Sequence, residues 1–209
     1  VAPDSETFWD RQARKYARRP VADMASYDHT MERTRAHLAG ADSVVELGCG
    51  TGTTALRLAD CVGHITATDI SSEMIAIARE KAAKQGATNA TFAHADVFSA
   101  LADGPPRDAV LAFNLFHLTE DPAEAIRAVH DALKPGGLFV SKTVCLGDRP
   151  GVLRVVIPVM KAIGMAPKAV AFLKVAELDR TIAEAGFEIL ETGVFPKSPP
   201  ARFVVARKT

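Results

Sequence analysis

Three glycines spaced two apart, Gly48, Gly50 and Gly52, sit in the run VVELGCGTGTTALRLA (44–59), between an apolar strand-like stretch and a helix-like one. Without a Cβ, such a turn lets backbone come close to a ligand and adopt conformations closed to other residues. The spacing excludes two common uses. A phosphate loop needs GxxxxGK followed by Ser or Thr, and no Lys follows these glycines. A dinucleotide fingerprint, GxGxxG, needs a glycine at position 53, which is Thr53. What remains is GxGxG preceded by Glu46, and a carboxylate there suits a ligand with a cationic amine better than a pyrophosphate.

The rest of the chain alternates in the same way. Strand-like runs at 43–47, 64–69, 90–96, 108–114 and 138–143 are separated by helix-like runs at 52–61, 72–86 and 121–133. In the last of these helices Asp121 is placed as N-cap and Pro122 at the first helical position. The KPGG of 134–137 should turn the chain into its fifth strand. A helix at 175–185 stops at Gly186, and 187–192 and 202–207 read as two closing strands. A polar helical segment over 4–39 precedes all of this. The pattern gives an α/β fold, a Rossmann-like seven-stranded sheet, mostly parallel with an antiparallel last strand and helices on both faces. Such sheets bind ligands at the C-terminal strand ends, where strand order reverses.

Two acids fall at those ends. Asp69 closes HITATD, where a carboxylate can accept two hydrogen bonds from a ribose diol. Asp96, in AHADVF, could receive an adenine amino group. Each alone is a common helix cap; their order at successive strand ends is the informative feature.

With these motifs the chain resembles the class I S-adenosylmethionine-dependent methyltransferases, in their small-molecule branch, over nearly everything from Phe8 to Val205. VVELGCGTG looks like the family's first motif, ATDIS its ribose-binding acid and ADVF its adenine-binding strand end. AVLAFNLFHLTED and ALKPGGLFV are similar to the fourth-strand and fifth-strand segments. FWDRQARKYA resembles an N-terminal element that closes over the cofactor. The resemblance implies S-adenosylmethionine as cofactor, S-adenosylhomocysteine as product, and no metal. It also implies that Gly48, Cys49, Gly50 and Gly52 lie against the methionine part, with Glu46 anchoring the turn. Asp69 would hold the ribose, Ile70 and Met74 would flank the adenine, and Asp96 and Val97 would read its edge. Asn114 and Leu115 would lie beside the donor methyl, and Tyr16 would reach the cofactor's carboxylate.

Methyl transfer from a sulfonium is an in-line displacement that mainly needs alignment and dryness. An acceptor that must lose a proton invites a general base. His117, three residues after Asn114, is the candidate catalytic residue, since histidine titrates near neutral pH. The remaining histidines and the scattered Cys49, Cys61 and Cys145 have no metal-ligand spacing and no disulfide framework. The cysteines suit a reducing compartment.

For the acceptor, the sequence speaks mostly by exclusion. Twenty-five basic side chains balance twenty-five acidic ones. That argues against nucleic acid or an anionic membrane as the main partner, while leaving a local patch open. The Asp/Asn-Pro-Pro-aromatic motif of amino-methylating DNA enzymes is absent after the fourth strand, where Asn114-Leu-Phe-His117 stands. No signal-peptide core and no uncharged run of spanning length occurs, so a cytoplasmic protein without a transmembrane segment is expected, as monomer or homodimer.

The chain therefore reads as one domain over 1–209, with an N-terminal helical cap over 1–40 and an acceptor-covering insertion over 147–174. In that insertion Val152, Val155, Val156, Val159, Met160 and Ile163 recur at helical spacing. Pro158 and Pro167 imply two short helices hinged near Gly164 and Pro167, with Arg154, Lys161 and Lys168 on a wet opposite face. An apolar cover points to an apolar or amphipathic small-molecule acceptor. The alternative is a domain that binds S-adenosylmethionine without catalysis, in a regulatory or assembly role. A nicotinamide-dependent oxidoreductase is a third reading, disfavoured by Thr53.

Overall fold

The structure is a computed structural model and describes residues 4–38, 43–102, 104–149 and 151–209, with the side chain of Val152 outside that set. Seven strands form one sheet in the order β3-β2-β1-β4-β5-β7-β6. They are β1 (Ser43–Leu47), β2 (His64–Asp69), β3 (Ala90–His94), β4 (Arg107–Phe113), β5 (Leu133–Val144), β6 (Phe187–Lys197) and β7 (Pro200–Lys208). β7 alone runs against its neighbours, pairing antiparallel with both β5 and β6. The fold class read from the sequence is the one observed.

Apolar residues on alternating positions send the strands to two cores. Val44, Ile65, Ala67 and Phe92 pack with α2 (Met24–His37), α3 (Thr53–Leu58) and α4 (Ser72–Gln85). Val45, Leu47, Val110 and Phe139 pack with α6 (Pro122–Ala132) and α8 (Val175–Glu184) on the opposite face. α1 (Ser5–Ala17) lies along α4. Strand order reverses between β1 and β4, so the crevice above Leu47 and Ala112 is where this architecture holds a ligand.

Several boundaries differ from the sequence reading. The N-terminal helical segment is two helices, interrupted around Pro20; its last expected residue, 39, lies outside the described residues. β3 stops at His94 instead of continuing to 96, because the Asp96 side chain caps a helix absent from the sequence reading, α5 (Val97–Ala102). Asp121 caps α6 as expected, accepting from the Ala123 and Glu124 N–H groups. The KPGG segment stays within β5 as an exposed irregularity, with Gly136 at φ +77°.

The insertion differs most. Among its described residues there is one α-helix, α7 (Val152–Ala162), and Pro158 sits inside it instead of breaking it. Pro158 is exposed, so the bond that it removes is exchanged with solvent and not buried. Gly164, at φ +70°, ends the helix, and residues 165–174 run on as an irregular strap with Ala166, Pro167 and Ala169 buried. No second helix forms there.

Candidate functional site

The glycine turn is built by alternating backbone handedness. Gly48, Gly50 and Gly52 have φ of +64°, +54° and +74°, values that other residues reach only with strain. Their surroundings differ. A Cβ on Gly48 would stand 2.8 Å from Leu115 Cδ1, and one on Gly52 would stand 2.6 Å from Phe92 Cε1 and 2.8 Å from Ala78 Cβ. At Gly50 the nearest group would be Tyr16 Cε1 at 3.8 Å. Gly48 and Gly52 are therefore needed for packing, while Gly50 faces open space beneath a tyrosine.

Hydrogen bonds fix the turn to its neighbours. Cys49 N–H donates to the Thr68 carbonyl (2.9 Å). Asp69 Oδ2 accepts from Gly50 N–H (2.8 Å), and its Oδ1 accepts from Ser71 N–H (2.9 Å). Lys81 Nζ bridges Thr51 Oγ1 and Thr53 Oγ1 at 2.7 and 3.0 Å. Burial pushes the Asp69 carboxyl above its ordinary range, and the two backbone N–H donors only partly offset this.

Glu46 is the most strained electrostatically. It is 2% exposed, shows Oε2 without a hydrogen-bond partner, and has its carboxyl pushed up to about 8 by burial and by nearby Asp69. Its one opposing influence is the Ala55 N–H. The site thus holds two under-compensated carboxyls around a turn that exposes backbone. A cationic ligand with hydroxyl groups is the chemistry that would relieve both.

α1 reaches the same place from outside. Ser71 Oγ donates to Asp10 Oδ1 (2.6 Å), and the Glu73 N–H reaches the same oxygen at 3.2 Å, so Asp10 latches α1 to the start of α4. This sets Tyr16 above Gly50, edge-on to Trp9. Half of the Tyr16 surface remains exposed, but lost hydration and the nearby Asp69 raise its hydroxyl pKa.

Tyr16, Glu46, Gly48, Cys49, Gly50, Gly52, Asp69 and Leu115 are therefore brought around one crevice. Ile70 borders it, its carbonyl paired with His94 Nε2 at 2.8 Å. Asn114 follows β4 at φ +56°, its N–H donating to the Lys142 carbonyl (2.6 Å). Met74 is buried behind the first turn of α4, and Asp96 spends its carboxylate capping α5 beside Val97, accepting from Phe98 N–H, Ser99 N–H and Ser99 Oγ. Both residues have structural work independent of any ligand.

His117 lies in a short 3-10 turn after β4, with Nδ1 buried and without a partner among the described residues. Loss of hydration lowers its pKa to about 4 instead of the near-neutral value expected from its residue type. It is neutral at pH 7 and a weaker base than an exposed imidazole. Its carbonyl accepts from the Ala171 N–H (2.7 Å), tying the strap of the insertion to this corner of the site.

The Asp10 latch and the Lys81 bridge were missed by sequence reasoning. Neither has a local signature, since each partner lies at least 28 residues away in the chain. Among the described residues no group of three or more His, Cys, Asp or Glu could hold a metal ion, and no helix is long and apolar enough to cross a membrane.

Residues 44–137 match a family model described as a methyltransferase domain. A ubiquinone biosynthesis O-methyltransferase of Nitrosospira multiformis is 26% identical over 161 residues, covering 75% of this chain and 66% of that protein. The chain spans only 44% of the counterpart in Xylella fastidiosa. Among solved structures, magnesium protoporphyrin IX methyltransferase of Synechocystis with bound S-adenosylhomocysteine superposes with a TM-score of 0.73 at 20% identity, covering 98% of this chain and 95% of that one. The 4+2 cyclase SpnF superposes with a TM-score of 0.69 at 21% identity, covering 87% and 81%. At these identities the superpositions speak for the fold. Over residues 44–137 the chain thus matches a methyltransferase domain, and its seven-stranded sheet is the fold of the class I S-adenosylmethionine-dependent methyltransferases.

Proposed function

We propose that this protein transfers a methyl group from S-adenosylmethionine to a small apolar or amphipathic acceptor. The observation that carries the reading is the glycine turn held by Asp69, with the buried, unpartnered Oε2 of Glu46 behind it. Asp69 retains lone pairs for a ribose diol beyond its two backbone bonds. Glu46 favours a cationic amine near the turn, since a positive charge there would draw its carboxyl back towards ionisation. Gly50 leaves room for the methionine part under Tyr16. Asp96 and Val97 would border the adenine side, with Ile70 beside it and Met74 supporting that wall from behind.

The bound cofactor would supply an activated methyl group; the chain's own residues supply alignment, dryness and proton management. Leu115 and Asn114 wall the crevice beside the donor. The names of the relatives favour a hydroxyl acceptor. In such a transfer an oxygen–carbon bond forms, the carbon–sulfur bond breaks with its pair left on sulfur, and the hydroxyl proton departs. His117 would receive that proton on a ring nitrogen. Being neutral above about pH 4, it is ready to accept across the whole neutral range. Residues 147–174 would close the acceptor side, since the strap is bonded to the His117 carbonyl.

The test begins with binding. S-adenosylhomocysteine at about 100 times its dissociation constant should stabilise the fold by roughly 2.7 kcal/mol, and NAD should not. Asp69→Asn, which keeps an acceptor for one backbone N–H, should weaken that binding by roughly 1.5–3 kcal/mol for each charged hydrogen bond lost. Unchanged affinity in the variant would overturn the ribose assignment. Release of S-adenosylhomocysteine across a panel of hydroxylated acceptors then separates an enzyme from a domain that only binds the cofactor.

A further inference from the structure

The insertion presents the molecule's most anomalous surface. Val155 and Val159 on α7 and Ile163 at its C-cap form an i, i+4, i+8 row and are 69%, 58% and 63% exposed, with Val156 and Met165 beside them. Leu153, Ile157 and Met160 face the body of the protein instead and are half-buried. The apolar row is therefore not core, contrary to the pattern in which one apolar face turns inward.

Charge is segregated over the same stretch. Between Asp148 and Glu177 the chain carries Arg149, Arg154, Lys161, Lys168 and Lys174 and no acid, in a protein whose acids and bases are otherwise balanced. Their commitments are slight: Arg154 stacks over the Phe172 ring, Arg149 donates to Ser198 Oγ, and Lys168 pairs with Glu120 at 3.5 Å, both side chains largely exposed.

We propose that α7 and its strap dock this protein flat on an anionic lipid surface. An exposed apolar row of valine and isoleucine in an acid-free stretch that carries long cationic side chains is the chemistry of an interfacial helix. The apolar row enters the boundary between headgroups and acyl chains, and the cations extend to lipid phosphates. Eleven residues of helix reach only about 16 Å, too short to span a bilayer, so the helix lies in the interface. A second copy fits this face poorly, because it would set two acid-free cationic stretches against each other. Because the strap is bonded to the His117 carbonyl, docking would also turn the acceptor side towards the bilayer. That corollary rests on the proposed function, whereas the lipid binding does not.

The test is co-sedimentation of the full chain with phosphatidylcholine vesicles and with vesicles that also contain phosphatidylglycerol. Binding is expected only to the anionic vesicles and should weaken as salt is raised. Arg154→Gln and Lys168→Gln should each weaken it by roughly fivefold. Val155→Asp and Val159→Asp should each weaken it by at least about tenfold. Thermal unfolding of the same variants, and of the milder Val155→Ser, separates lost docking from lost folding. A protein that stays in the supernatant with both vesicle types overturns the proposal. So does a concentration-dependent dimer that Val159→Asp converts to monomer, which would give the row a different occupant. Thermal stabilisation by S-adenosylhomocysteine, measured in parallel, reports on the cofactor reading independently of either result.

Discussion

The glycine turn and the 147–174 insertion stand within the same sheet-edge architecture and are built in opposite ways. Around the turn, Asp69 accepts from the Gly50 and Ser71 N–H groups, Cys49 N–H donates to the Thr68 carbonyl, and the side chains behind it are buried. In the insertion, two backbone bonds, Gly147 N–H to Leu173 and Ala171 N–H to His117, hold the strap, while the helix beside it turns Val155, Val156 and Val159 outward. One region is fixed by geometry that tolerates almost no substitution. The other is free to vary with whatever it touches. A protein that held S-adenosylmethionine at one region and its acceptor at the other, as proposed, would use both kinds of construction.

The sharpest way to break this contrast is to substitute a glycine whose position is over-determined. Gly52→Ala would hold a Cβ 2.6 Å from Phe92 and 2.8 Å from Ala78 at φ +74°. Left-handed strain of about 1–2 kcal/mol and overpacking of about 1–3 kcal/mol together predict about 2–5 kcal/mol of destabilisation by chemical denaturation. Gly136→Ala, at φ +77° with nothing within 4 Å of the new atom, should show the strain alone. Equal losses at the two sites would mean that the turn is not specially packed.

Protonation offers a second way, because the crevice holds two groups displaced in opposite directions. His117, lowered to about 4 from an ordinary value near 6.5, contributes stability that is present above that ordinary value and lost as pH falls towards about 4. Glu46, raised to about 8, contributes stability present at acid pH and lost as pH rises through about 8. Cofactor binding that places a cation near Glu46 should release its proton. Affinity should then rise towards pH 8 by at most about tenfold per unit. Titration calorimetry in buffers of different ionisation enthalpy measures that proton, and Glu46→Gln should abolish its release. The acid limb of kcat/KM should fall near pH 4 and not near 6.5 if His117 is the base, a shift visible in a pH–rate profile. An acid limb at 6.5 would remove His117 from that role.

How far each region could be read from sequence follows from the same contrast. Gly48, Gly50, Gly52 and Asp69 were legible because a sharp strand-to-helix turn demands residue types that few other structures demand at that spacing. The α/β alternation was legible because burial on both faces of a parallel sheet leaves continuous apolar runs. Asp96 was legible as a residue at a ligand-facing edge, but not as the cap of α5, a helix too short to produce a periodic signal. In the insertion, periodicity identified an apolar helical face correctly and could not say which way it pointed. Val155 and Met160 share that face in sequence, yet one is exposed and the other half-buried. Pro158 and Pro167 read alike as breaks, and the structure keeps the first within α7 because its lost bond faces solvent. The low pKa of His117 had no sequence signal at all, since it arises from hydration lost to parts of the chain that meet it only after folding.

The smallest expected effect is the most direct measure of the difference between the two regions. Val155→Ser removes apolar surface from the outward row of α7 without opening a cavity, because the side chain is 69% exposed. Surface substitutions of this kind usually change stability by less than about 0.5 kcal/mol. Leu178→Ala, in the fully buried core where α8 packs on β6 and α6, should by comparison cost about 2–5 kcal/mol. Val155→Ser should also leave S-adenosylhomocysteine binding unchanged, since no residue of the glycine turn touches α7 through any bond described above. Denaturant unfolding and a thermal shift with the ligand measure both quantities on one preparation. A loss above about 1 kcal/mol for Val155→Ser would show that the row is packed against something in the folded protein. The insertion would then be architecture of the same kind as the turn, and the division between a fixed cofactor side and an adaptable acceptor side would fail at its most exposed residue.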